Sequence, residues 1–228
     1  MDERRISRRA SLASLGGLVA GATGLAGLKA TEEAGAGPAG VASGLISCVL
    51  APEQTEGPYY VDDAAARRNV TEGRPGVPLT LRLTVVNASS CKPIRGAAVE
   101  IWHSDAGGVY SATGAEADAR FLRGIQRTDA KGVATFKTLY PGWYQGRTVH
   151  IHTMVHVGGN VVHTGQLYFP DAITDVVHRR SPYKQRSSRT TRNAADSIYR
   201  NGGKRSTMKL VRNGTAYIGS ITMGVQRS

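Results

Sequence analysis

Cysteine is scarce in this chain: Cys48 and Cys91 are the only two among 228 residues, so at most one disulfide can brace it. Long apolar runs are also missing. The least charged stretch, Leu12 to Leu28, is diluted by glycine and alanine and falls short of the ~20 strongly apolar residues that span a bilayer, so no stable membrane span is expected. Few segments carry a helical period and no internal repeat is visible, which argues against helical bundles and solenoids. Acidic residues are few beside basic ones, 17 against 29, for a formal charge of +12. Neither a nucleic-acid motif nor interleaved stacking aromatics accompany that charge, and no nucleic-acid partner is expected.

The charge has a definite distribution. Arg4-Arg-Ile-Ser-Arg-Arg-Ala-Ser-Leu12 is a basic start followed by an uncharged run, which predicts an export signal over residues 1–30. Its Ser7-Arg-Arg-Ala-Ser-Leu12 portion is similar to a twin-arginine signal. The protein is therefore expected to be exported, extracellular or associated with the cell envelope. Residues 31–47 are small, polar and glycine-rich and read as a flexible linker, leaving 48–228 as one folded domain. Export would permit a Cys48–Cys91 disulfide, with two buried free thiols as the alternative. Residues 1–30 hold five basic and two acidic residues, so the remainder keeps +9. Much of that excess lies in His178 to Arg192 and Arg200 to Arg212, either a solvated basic face or a surface for polyanions at the cell surface or for carboxylated substrates.

Within the domain, alternating or β-branched runs at Leu79–Val86, Ala97–Trp102, Gly132–Phe136, Val149–Val157, Val161–Phe169 and Ala216–Met223 predict strands. Val157-Gly-Gly-Asn160 predicts a tight hairpin. The best helical candidate is Asn193 to Tyr199, with Asn193 as cap. The fold class expected is mainly β, an antiparallel β-sandwich core with irregular loops.

The chemistry concentrates in Pro141-Gly-Trp-Tyr-Gln-Gly-Arg-Thr-Val-His-Ile-His152. In a strand His150 and His152 would face one side and Ile151 the other. Imidazoles alone suit zinc, copper, nickel or iron. Tyr144 just upstream and Tyr110 after Asp105-Ala-Gly-Gly-Val change the odds, because a phenol with a pKa near ~10 becomes a ligand only for a strongly Lewis-acidic ion. Ferric iron answers that demand. Tyr140 competes with Tyr144 for the assignment, and Trp143 is expected to pack beside the site. Of the other histidines, His103 reads as structural, His156 continues the His150 and His152 face, and His163 and His178 read as surface or loop residues. No carboxylate neighbours the histidine pair in sequence, unlike a 2-His-1-carboxylate ferrous site.

This window, together with Pro52-Glu-Gln-Thr-Glu-Gly-Pro-Tyr-Tyr60, Val99-Glu-Ile-Trp-His-Ser-Asp-Ala-Gly-Gly-Val-Tyr-Ser111 and Phe121-Leu-Arg-Gly-Ile-Gln-Arg-Thr-Asp129, resembles the intradiol ring-cleavage dioxygenases, in particular their secreted bacterial branch. The resemblance implies an Fe(3+) cofactor on Tyr110, Tyr144, His150 and His152, with a catecholic substrate and O2 as small-molecule partners. It implies ring cleavage between the two hydroxylated carbons to a muconate-type dicarboxylic acid. Tyr144 would be the ligand that leaves as the diol binds, Arg147 would stabilise charge on the reacting substrate, and Gln166 would hydrogen-bond the substrate or a ligand. One departure is Ser104, where the family pattern commonly has a cysteine after Trp-His. A secreted β-sandwich module that holds a metal or a polyanion without catalysis is the competing reading.

Overall fold

The leucines and valines of Pro78–Asn87 recur at every second position, and Leu79, Leu81, Leu83 and Val85 are all buried while Arg82 faces solvent. That period of two is what a strand with one wet face requires. In the computed structural model, which describes residues 48–226, this is strand β1. It is followed by β2 (Ala98–Trp102), β3 (Arg123–Arg127), β4 (Val133–Leu139), β5 (His150–Val157), β6 (Asn160–Tyr168), helix α1 (Asp171–His178), the short helix α2 (Ser197–Arg200), β7 (Lys209–Asn213) and β8 (Ala216–Val225). The expected export signal, 1–30, and linker, 31–47, lie outside the described residues.

The strands form two four-stranded sheets, ordered β4-β1-β8-β7 and β3-β2-β5-β6. The second is antiparallel throughout. In the first, β1 and β8 run parallel, a crossover between the two ends of the domain that local pattern does not reveal. Buried residues from both sheets, among them Leu81, Leu83, Phe136, Val99, Ile101, Ile151 and Val155, form one apolar cluster, each such side chain contributing about 1.5–3 kcal/mol on leaving water. The expected mainly β fold of two layers is what the chain adopts.

Two strands and a helix escape the sequence pattern. Strand β3 is Arg-Gly-Ile-Gln-Arg, with a buried arginine inside it. Strand β7 is an edge strand with four exposed residues out of five, and exposed edges carry charge instead of alternation. Helix α1 has two turns, a proline N-cap and a β-branched interior, so neither length nor composition announces it. The helical region expected over Asn193 to Tyr199 forms as a 3-10 turn, Asn193–Ala195, followed by α2; Asp196, whose carboxylate accepts from the Ile198 and Tyr199 amides, caps α2, and Asn193 is not a cap. The Val157–Asn160 hairpin forms with both Gly158 and Gly159 at positive φ, the backbone that a two-residue turn of this hand demands.

Cys48 and Cys91 are bonded, settling the alternatives in favour of the disulfide. Closing a loop over a sequence separation of 43 residues is worth about 4 kcal/mol in the chain-entropy picture. Ser104 plays no part in it and donates its hydroxyl to the Gly142 carbonyl at 3.1 Å.

Candidate metal centre

Strand β5 carries the site on the face turned away from the sandwich core. Alternation sends Ile151 and Val155 into that core and leaves His150 and His152 on the opposite side, paired in register with Tyr168 and Gln166 of β6. That outer face is covered. Thr164 O accepts from the Gln54 amide, Ala66 bridges to Ile125, and a second apolar cluster of Trp102, Tyr110 and Met154, flanked by Tyr59, Tyr60 and Tyr144, builds over the strands. His150 and His152 are buried in consequence.

The four side chains singled out by sequence pattern meet here. The Nε2 atoms of His150 and His152 face each other at 3.1 Å, and the Tyr144 Oη stands 3.1 Å from His150 Nε2. His150 Nδ1 lies 2.6 Å from the Thr148 carbonyl, which can only accept, so Nδ1 carries the proton and the Nε2 lone pair points into the site. The Tyr110 ring stands edge-on to Tyr144 and His152, at 5.7 and 6.0 Å between centroids, and its buried hydroxyl has no hydrogen-bond partner. A buried hydroxyl without a partner costs about 1–3 kcal/mol, and a cation shared with the facing imidazoles would remove that cost. His152 is clamped flat against Trp102, 5.1 Å between centroids. On its other side Gly57, at φ +73°, brings its backbone so near that a β-carbon there would lie 3.1 Å from His152 Cε1, a reason for glycine at this turn.

Electrostatics keep all four groups uncharged in the absence of a cation. Burial, and then the nearby Arg147 charge, pushes His150 down to about 3. Burial, followed by His150 itself, holds His152 well below the usual range. Burial, then Tyr144, pushes the Tyr110 phenol well up, whereas the upward push of burial on Tyr144 is opposed by Arg147. Neutral imidazoles are the metal-binding form. The phenols would ionise only for a cation that outweighs their desolvation, and ferric iron suits that donor set. Among the described residues no three His, Cys, Asp or Glu gather into a metal-binding group.

Arg147 sits at the edge of the cluster, its Nη1 3.4 Å from His150 Nε2. Its Nε donates to the buried Asp196 carboxylate at 2.9 Å and its Nη2 to Gln166 Oε1. Gln166 in turn donates to Thr55 O at 3.0 Å and accepts from the Tyr168 hydroxyl at 3.2 Å. Thus both Arg147 and Gln166 stand beside the cluster. Two contributors have no place in the sequence reading. Asp196 orients Arg147 and also accepts from the Thr148 amide. A short Ala-Ala-Asp-Ser capping signal marks it. Tyr59 stacks on Tyr110 at 4.3 Å and meets Tyr144 edge-on at 6.1 Å, a placement set by a loop without periodicity.

The remaining expectations divide. Tyr140 is in the sandwich core, bonded to Thr174 and packed on Phe169, and does not compete with Tyr144. Trp143 is half-buried against the sandwich core, with the Arg186 guanidinium over its ring. His103 is structural, held between Thr138 and the Ser104 carbonyl at 2.8 Å each. His156 lies beyond a register shift in β5 and faces Glu100 at 3.6 Å. His163 and His178 are corrections: His163 is buried against Glu53 at 2.6 Å, and His178 stacks on Tyr183 and reaches the Pro141 carbonyl. The residue that covers His163 is 110 positions away in sequence, whereas His178, half-buried at the end of α1, is covered by its near neighbour Tyr183.

Comparison with known proteins places the chain in a family. A family model described as Dioxygenase matches residues 55–177, more than half of the chain. An intradiol ring-cleavage dioxygenase from Tetranychus urticae superimposes with a TM-score of 0.74 at 38% identity, over 78% of this chain and 95% of that one. The chain belongs to the intradiol ring-cleavage dioxygenase family. The dioxygenase domain of a dioxygenase carbohydrate-binding protein fusion from Streptomyces sp. SirexAA-E gives a TM-score of 0.62 at 32% identity, covering 78% and 99% of the two chains. A catechol 1,2-dioxygenase from Acinetobacter lwoffii is 35% identical over 121 residues, 48% of this chain. The match takes in 38% of that relative's length, so this family member spans well under half of it.

Proposed function

We propose that this protein is a ferric intradiol dioxygenase that opens catechol-type rings between the hydroxylated carbons with O2, giving muconate-type dicarboxylic acids. The observation that carries the reading is the convergence of Tyr144, His150 and His152, with the unpartnered Tyr110 hydroxyl beside them, on the covered face of β5. Tyr110, Tyr144, His150 and His152 would hold the iron. Bound there, ferric iron would supply the Lewis acidity that ionises the two phenols and draws electron density from a diol.

The chain's own residues do the rest. Tyr144 is half-buried beside Arg147, whereas Tyr110 is fully buried, so Tyr144 is the side chain free to move and, as the phenolate that bound iron would create, to take a proton from an arriving diol. Arg147, fixed by Asp196 and Gln166, presents its guanidinium where negative charge develops on the substrate. Tyr59, Trp102 and the Gln54–Gly57 segment keep water from the buried side of the cluster.

The basic start and the uncharged run after it support export, and the Cys48–Cys91 bond suits an oxidising compartment. Turnover of catechol under ¹⁸O2 tests the activity. Both labelled atoms are expected in one ring-opened dicarboxylate. Hydroxysemialdehyde products would indicate cleavage outside the diol, and a protein that holds metal without turning over any catechol would be the binding module instead.

A further inference from the structure

Trp143, one residue before Tyr144, is a wall of an open cleft of about 480 Å³ between α1 and the segment after it. Its lining is cationic. Arg179, Lys184, Arg186, Arg189 and Arg192 all contribute, against the single carboxylate of Asp175. That carboxylate does not neutralise the group, because Asp171 and Asp175 are both engaged by Arg189 and Arg192. Among the described residues Arg179, Lys184 and Arg186 make no ion pair with any carboxylate, and Arg186 is pinned in place by the Trp143 carbonyl and ring. Three uncompensated cations around one concavity repel one another, an arrangement that a bound anion relieves.

The cleft is joined to the reaction site by backbone. A β-carbon on Gly108 would lie 2.3 Å from the Trp143 carbonyl oxygen and 2.8 Å from Arg186 Nη1, so the loop leading to Tyr110 packs directly on the cleft wall. The proposed reaction takes in an uncharged diol and produces two carboxylates. We propose that this cleft is a binding site for short dicarboxylates and receives the ring-opened product, an inference that rests on the proposed function for the source of its ligand. Arg179 on the helix side and Lys184 with Arg186 on the other can each take one carboxylate, with Trp143 against the carbon chain. The volume leaves ample room for a small diacid.

The test is calorimetric titration of cis,cis-muconate into the purified full chain. Arg179 and Lys184 are the positions to change, since Arg186 also holds the Trp143 backbone. The double variant Arg179→Gln with Lys184→Gln is expected to bind muconate about tenfold more weakly or worse. Lys131→Gln with Lys137→Gln, which removes the same charge from an exposed turn and strand elsewhere, is expected to bind it as wild type does. Sorbate, with one carboxylate, should bind at least about tenfold more weakly than muconate. Absence of muconate binding, equal loss in both double variants, undiminished binding in the cleft variant, or equal affinity for sorbate would each overturn the site. The titration reads binding alone, so a protein that binds muconate in the cleft but cleaves no catechol would contradict the proposed function and the product role while leaving a dicarboxylate site. A protein that cleaves catechol but binds no diacid there would contradict only the site.

Discussion

The two faces of β5 share one backbone and do opposite work. Inward, Ile151 and Val155 meet leucines and valines of both sheets in a cluster that is apolar almost throughout. Outward, His150 and His152 are just as buried, beside a cluster of tyrosines, tryptophan and methionine that carries an unpartnered hydroxyl and an unpartnered imidazole Nδ1. Burial alone therefore does not separate core from site. What separates them is polar satisfaction: polar atoms deep in the sandwich, such as those of His103, have partners, while the outer cluster keeps the unpartnered Tyr110 hydroxyl beside the facing imidazole Nε2 atoms, which a cation held there would complete.

The sharpest way to break this contrast is to exchange its two sides. His150→Ala or His152→Ala is expected to lower activity more than roughly 100-fold, since even partners of metal ligands cost 10–100-fold, with a small change in unfolding midpoint. Ile151→Ala between them should cost about 2–5 kcal/mol of stability while leaving iron bound per folded chain unchanged. Denaturation curves and iron content measured on all three separate the faces, and a stability loss shared equally by all of them would erase the distinction.

Arg147 comes next. Removing one preorganised donor costs roughly 10²-fold in rate, so Arg147→Ala should lose that much with iron content intact. Arg147→Lys should recover part of it, because the charge returns without the planar fork. Steady-state kinetics with wild-type rates for Arg147→Ala would remove the residue from the mechanism.

The two tyrosines should then differ from each other. Tyr144→Phe should weaken the visible phenolate band yet still bind catechol, and Tyr110→Phe should perturb the spectrum of the catechol complex as well. Indistinguishable titrations would contradict the roles assigned from their unequal burial.

Much of the site was legible because it is local. His150 and His152 sit at strand spacing with Tyr144 within eight residues of them, so period and residue type single them out, while the family resemblance supplies the role of Arg147 beside them. What was not legible comes from afar. Tyr59 reaches Tyr110 from the segment that crosses the sheet, Asp196 reaches Arg147 over a sequence distance of 49, and His163 is covered by Glu53, 110 residues away. The fold divides in the same way. Alternating strands such as β1 declared themselves, whereas β3 conceals a buried Arg123 held by Ser111, and the parallel β1–β8 pair is a matter of topology.

A further expected effect, on stability alone, lies on the core side. His103 is pushed down to about 4, by burial first. Unfolded, it binds a proton below about 6.5, so its neutral folded form is fully stabilising above that pH. As the pH falls toward 4 the unfolded chain gains a proton that the folded one lacks, and stability drops by about 1.4 kcal/mol per unit, about 3 kcal/mol in all. Urea midpoints from pH 7 to pH 4 should fall more steeply for wild type than for His103→Gln, and parallel slopes would show that His103 is not the group responsible.

The most direct test of the central claim is a visible spectrum of the purified protein, with its metal content, before and after catechol. The two imidazoles on the outer face of β5 and the two tyrosines that loops bring to them predict about one ferric ion per chain, a red to purple phenolate-to-iron band, and a change in that band when catechol displaces Tyr144. A colourless protein holding stoichiometric zinc or copper, unchanged by catechol and without activity after iron loading, would contradict it.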